Sequence, residues 1–195
     1  MPVKLSVRGF ALFEVMVTVF LLAFGVLGLA AAQMKTYAIT RDADYRTNVA
    51  LHAEGLAEAM RANPLRKLAS GVMSWDLSHY KENAPIKGSA LLSVPANDCH
   101  SRDCTQKELA EYDLYLFHQR LRASFPEDSE VSAQVCPSAD FSKLPTQDNM
   151  GCASSGVMAI KVVWLSKATK SEAQAASAGA TRNMLVSAYQ LKVEP

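Results

Sequence analysis

An excess of charge of either sign is missing from this chain: 20 basic residues stand against 19 acidic ones, a formal net charge of +1. That balance removes the electrostatic reason to propose nucleic acid as a partner, and none is expected. Gly-rich phosphate loops, zinc-binding helix motifs and nucleophile elbows are missing too. No catalytic residue, metal or cofactor is therefore expected, and the chain reads as a structural protein rather than an enzyme. Aromatic residues are sparse at 8%, yet a hydrophobic share of 49% excludes wholesale disorder. At 195 residues the chain has room for one modest domain plus its first thirty residues.

What is present is unevenly spread. From Phe10 to Ala32 there are 23 residues, and Glu14 is the one charge among them. As a helix that stretch spans roughly 34 Å, enough to cross a hydrocarbon core of about 30 Å. The flank before it carries Lys4 and Arg8 and no acid. Positive charge on a short N-terminal flank keeps that end cytoplasmic and exports the rest. A cleaved secretory signal would have a shorter apolar core of about 7–15 residues. A plain single-pass anchor explains the length and the flank but leaves Glu14 unexplained. A carboxylate at membrane depth costs about 2.5–3.5 kcal/mol on insertion scales, so it needs a partner or must snorkel to the headgroups.

All four cysteines (Cys99, Cys104, Cys136 and Cys152) then fall on the exported side, where disulfides are the expected state. Four cysteines allow three connectivities. Cys99–Cys104 and Cys136–Cys152 are favoured because each closes a short local loop. The competing zinc reading rests on His100 beside Cys99, but the Cys99–Cys104 spacing is not that of a finger or ribbon.

Beyond the apolar stretch the helical pattern continues. Met34, Ala38, Tyr45, Val49, His52, Leu56 and Met60 share one stripe, with Thr36, Thr40, Thr47, Glu54, Glu58 and Arg61 opposite. Asn63-Pro64 is a stop, because proline disfavours helix in the residue before it. The pattern predicts a single helix from Phe10 to Arg61, roughly 80 Å long. Gly25 and Gly28 are points where it bends or packs closely against another helix. Residues 64–104, with Pro64, Pro85 and Pro95, read as an irregular loop in which His79 and His100 lie on the surface. Thr105 to Glu108 is a capping-box pattern that opens a second helix to Ser124. Ala110, Leu114, Phe117 and Leu121 line its core face, with His118 beside them as a structural residue. Strand alternation follows in Val131–Val135, in Val157–Leu165 and in Met184–Leu191. Ser166 to Arg182, rich in Ala, Ser, Thr and Lys, reads as a long solvated loop between two paired strands.

The run Arg8-Gly9-Phe10-Ala11-Leu12-Phe13-Glu14 resembles the class III leader junction of type IV pilins. Such a junction has a basic leader, a glycine, an aromatic residue, and a glutamate four positions after it. The resemblance implies that prepilin peptidase cuts between Gly9 and Phe10, and that the new amine of Phe10 is N-methylated. The physical logic stands beside it. A small residue at Gly9 lets the backbone enter a protease cleft at the membrane surface. Cleavage removes Lys4 and Arg8 and creates a cationic amine at Phe10. That amine pairs with Glu14 of a neighbouring subunit once both are buried, making Glu14 an assembly contact.

Three further stretches are similar to PilV-type minor pilins. They are Gly25 to Gln33, Glu54 to Pro64, and the Cys99–Cys104 loop leading into Thr105, Glu108, Leu109, Ala110, Tyr112, Asp113 and Leu114. Ala11 and Phe13 depart from the Thr and Ile common after the aromatic residue and leave the glycine and glutamate intact. The resemblance implies an α+β, type IV pilin fold: a long N-terminal helix spine, membrane-spanning in its first half, packed on a small antiparallel sheet head. It divides the chain into a leader at 1–9, a transmembrane half at 10–33, an amphipathic half at 34–63 and a periplasmic head at 64–195. It also implies other minor pilins and tip-associated pilus proteins as partners, prepilin peptidase as processing enzyme, and the inner membrane as the location before assembly. A type II secretion pseudopilin shares the leader and spine and is the alternative. A membrane-anchored enzyme would need a free thiol at Cys99 for a Cys–His pair with His100.

Overall fold

The computed structural model describes residues 12–69, 71–88, 94–127, 129–167 and 184–194. The chain is α+β. A 51-residue helix, α1 (Leu12–Ala62), is followed by a hairpin of β1 (Leu65–Ala69) and β2 (Val72–Asp76) and a 3-10 turn at Ser78–Tyr80. Then come β3 (Ile86–Lys87), α2 (Gln106–Ala123), β4 (Val131–Ser138), β5 (Val157–Lys167) and β6 (Met184–Val193). The expected leader, Met1 to Gly9, and most of the expected loop Ser166 to Arg182 lie outside the described residues.

By internal contacts the chain forms two compact units that divide between Ala43 and Asp44. In the first, α1 runs without proline and exposes Leu12, Phe13, Met16, Phe20, Leu22 and Leu27. Among the described residues it is the one helix long and apolar enough to cross a membrane.

In the second unit the last turns of α1 bury Val49, Ala53, Leu56, Ala57 and Met60, with Tyr45 half-buried beside them. Two alanines thus join the predicted stripe. At its other end Met34, in the first unit, is exposed. The helix ends where Asn63 donates its side-chain amide to the Gln106 carbonyl at 2.8 Å and to the Tyr80 hydroxyl at 3.2 Å. Proline at position 64 prevents a further turn, and these bonds hold the exit in place.

The four-stranded sheet runs β3-β4-β5-β6, antiparallel throughout. One face of it (Val131, Ala133, Val135, Ile160, Val162 and Trp164) joins the core of α1 and α2. Each valine or isoleucine side chain fully buried there contributes about 1.5–3 kcal/mol relative to exposure. Helix α2 contributes Ala110, Phe117 and Leu121. It starts as expected, with Thr105 accepting from the Glu108 N–H and the Glu108 side chain returning to the Thr105 N–H.

Residues 64–104 are more regular than expected. The hairpin turns at Gly71, whose φ of +79° suits glycine. Its strands expose most of their side chains, so they carry no burial periodicity to mark them as strands. His79 is half-buried and bonds the Asn63 carbonyl through Nε2 at 2.9 Å, correcting its expected surface position. His100 is exposed.

Candidate functional site

Glu14 lies in the first turn of α1, on its exposed apolar half. Among the described residues, the side chains one helical turn on from Glu14 are Val17 and Thr18, neither of them cationic. Within that described span, α1 therefore offers Glu14 no side-chain counter-ion at helical spacing. Thr18 returns its own hydroxyl to the Val15 carbonyl at 2.9 Å. Glu14, Thr18, Gly25 and Leu29 fall within about 60° of arc at 100° per residue, on one stripe of the helix. Thr18, Leu22, Gly25 and Leu29 line an open apolar groove there, and nothing lies within 4 Å of a Cβ built on Gly25. Gly9 and Phe10, the expected cleavage and methylation positions, lie outside the described residues.

All four cysteines are paired. Cys99 bonds Cys104 with Cα atoms 5.6 Å apart, and Cys136 bonds Cys152 at 5.7 Å. Neither zinc nor a Cys–His nucleophile has the free thiolate at Cys99 that it requires. Among the described residues no group of three His, Cys, Asp or Glu side chains is placed to hold a metal ion. Asp98 organises the small loop, accepting from the His100 N–H at 3.0 Å and from the Ser101 hydroxyl at 3.2 Å. The His100 N–H is the main reason its carboxyl sits below the usual range.

Three arrangements went unread in the sequence. His118, predicted to be structural, is buried and bonds Glu82 at 2.7 Å, while the other Glu82 oxygen accepts from the Val135 N–H at 2.7 Å. The pair fixes residue 82 between α2 and β4, and His118 also borders a cavity of about 200 Å³ lined by Ile86, Tyr115, Leu121 and Val131. Secondly, Tyr80 donates to Asp113 Oδ2 at 2.7 Å. Burial pushes both groups up from their ordinary values. Thirdly, Arg66 stacks over the ring of Trp75 on the exposed hairpin, 5.4 Å from its centroid.

No family model matches the chain, and comparison with curated proteins and with solved structures gives no match.

Proposed function

We propose that the chain is a minor pilin of the type IV pilus, a non-catalytic subunit that primes pilus assembly with other minor pilins and sits near the tip. The observation that carries this reading is Glu14, an acid without a cationic side chain at helical spacing among the described residues, on a long apolar helix. In lipid such a carboxylate is costly. A neighbouring subunit whose Phe10 amine has been freed by cleavage after Gly9 supplies the missing cation. The stripe that Glu14 shares with Gly25 supports the same reading, since small residues let transmembrane helices approach closely. So does the packing of the last turns of α1 under an antiparallel sheet, which suits a helix that carries its own head. In this scheme the protein waits as a single-pass protein of the inner membrane with a periplasmic head, its two disulfides formed there, and leaves the bilayer on assembly.

Replacing Glu14 by Ala tests the pairing. Truncating one partner of a buried pair typically costs about 3–5 kcal/mol. The expected outcome is a protein that inserts and is cleaved after Gly9 normally but fails to restore piliation in a strain lacking the native gene. Full restoration by the variant would overturn the assembly role of Glu14.

A further inference from the structure

The β1–β2 hairpin has two different faces. Cross-strand pairs Arg66 with Trp75 and Leu68 with Met73 point one way, while Leu65 with Asp76 and Lys67 with Ser74 point the other. On the first face Leu68 is 70% exposed, Met73 56% and Trp75 50%. Isolated two-stranded hairpins are marginally stable in water. A large apolar patch left on one of them is the kind of surface that a partner covers.

The charges divide the same way. Lys67, on the second face, is paired with Asp76. Arg66, on the first, has no carboxylate partner among the described residues and lies over the Trp75 ring. That stacking orders the guanidinium without neutralising it. An open groove of about 420 Å³ adjoins it, lined by Arg61, Ala62, Pro64, Arg66, Trp75 and Gln106. Arg61 in that groove is held by Glu58 at 2.7 Å, so Arg66 carries the uncompensated charge.

We propose that the Arg66, Leu68, Met73 and Trp75 face docks another protein through a surface that presents a carboxylate beside apolar side chains. Trp and Arg are the residues most enriched at interface hot spots, and Met adapts to irregular apolar surfaces. Charge complementarity selects the carboxylate. A single uncompensated cation set among apolar side chains is poorly suited to a polyanion, which is bound by clusters of Lys and Arg. The proposal goes beyond the pilus reading and stands or falls separately from it.

Tryptophan emission reads the face directly, because the chain has two tryptophans and Trp164 is fully buried. The full chain, held in phosphatidylcholine nanodiscs, is titrated with a soluble peptide alternating leucine and glutamate and with its leucine–lysine twin. The glutamate peptide is expected to shift Trp75 emission saturably, and the lysine twin is not. Arg66→Glu is expected to weaken the glutamate peptide at least tenfold and to favour the twin. Arg66→Lys, which keeps the charge and the exposed hairpin, should preserve the original preference. Equal responses to both peptides, no response to either, or a response confined to phosphatidylglycerol vesicles or a DNA duplex would each overturn the proposal.

Discussion

Lys161 donates its ammonium group to the backbone carbonyl of Gly151 at 2.7 Å, from a side chain that is almost wholly buried in the middle of β5. A second bond reaches the Ser138 hydroxyl at 2.9 Å. Lys161 stands in register between Gln134 of β4 and Gln190 of β6. Those neighbours donate to the Glu82 carbonyl at 3.1 Å and the Phe141 carbonyl at 2.8 Å. A polar row thus crosses three strands on the face away from the helices and fastens backbone segments over the sheet. Burial lowers the Lys161 pKa, and nearby Asp140 pulls it back up.

The row predicts what a change at its centre does. Lys161→Met keeps the length and apolar stem but leaves Gly151 and Ser138 without their donor. A buried polar group stripped of its partner costs about 1–3 kcal/mol. The segment between Cys136 and Cys152 should then exchange its amide hydrogens faster while α2 is unchanged, as hydrogen-exchange mass spectrometry would read. Unaltered protection of that segment would show that the disulfide alone holds it.

A tighter constraint lies just beyond the disulfide. Gly156 has a φ of +137°, and a Cβ built there would sit 2.3 Å from the Ser138 carbonyl oxygen and 2.7 Å from its carbon. Both are backbone atoms, so no side chain can swing aside. Gly156→Ala must therefore displace the end of β4 or the start of β5 and adopt a strained backbone, at a cost of about 1–3 kcal/mol for the strain before any clash. A lower urea midpoint is the expected result. Gly55→Ala is the control: that glycine has nothing within 4 Å of its Cβ position and lies inside a helix. It should be neutral or stabilising, by up to about 1 kcal/mol.

The elements that showed in the sequence are those whose chemistry repeats. Helix α2 carries both a capping box and a 3.6-residue stripe. The cores of β4, β5 and β6 carry two-residue alternation, and Tyr45, Val49, Leu56 and Met60 carry the buried stripe of α1. The hairpin stayed hidden because neither of its faces is buried in the chain itself; its alternation of Arg66, Leu68, Met73 and Trp75 exposes apolar side chains. Lys161 shows in the sequence only as one position in the alternation of Val157–Leu165. Nothing local reveals that residues far along the chain come back to cover it. Pairings such as Glu82 with His118 or Tyr80 with Asp113 depend on separations of 36 and 33 residues, which no periodicity encodes. Glu14 is the reverse case. The role proposed for it rests on the apolar residues around it and on the proposed junction at Gly9 and Phe10, all adjacent in the sequence.

The bond from Tyr80 to Asp113 makes a prediction about pH whose sign can be worked through. Burial raises the Asp113 pKa above its ordinary 3.8, and the Tyr80 hydrogen bond only partly offsets that. Below 3.8 the carboxyl is protonated both folded and unfolded. Above 3.8, and up to the raised folded value, the folded chain holds the proton more tightly, so stability falls as pH rises through that window. Asp76 has the opposite slope. Burial would push it up, but the hydrogen bonds from Lys67 and Ser78 and the Lys67 charge hold it at about 2. Its contribution is present above the ordinary 3.8 and is lost as pH falls through about 2. Asp113→Asn keeps an acceptor for Tyr80 and removes the ionisation, so the variant should gain stability over the parent at neutral pH and not at pH near 3. Asp76→Asn should lose stability at neutral pH and converge with the parent in acid. Urea unfolding followed by the emission of buried Trp164 measures both. Differences that do not change with pH would mean that packing and hydrogen bonding, rather than ionisation, govern the two sites.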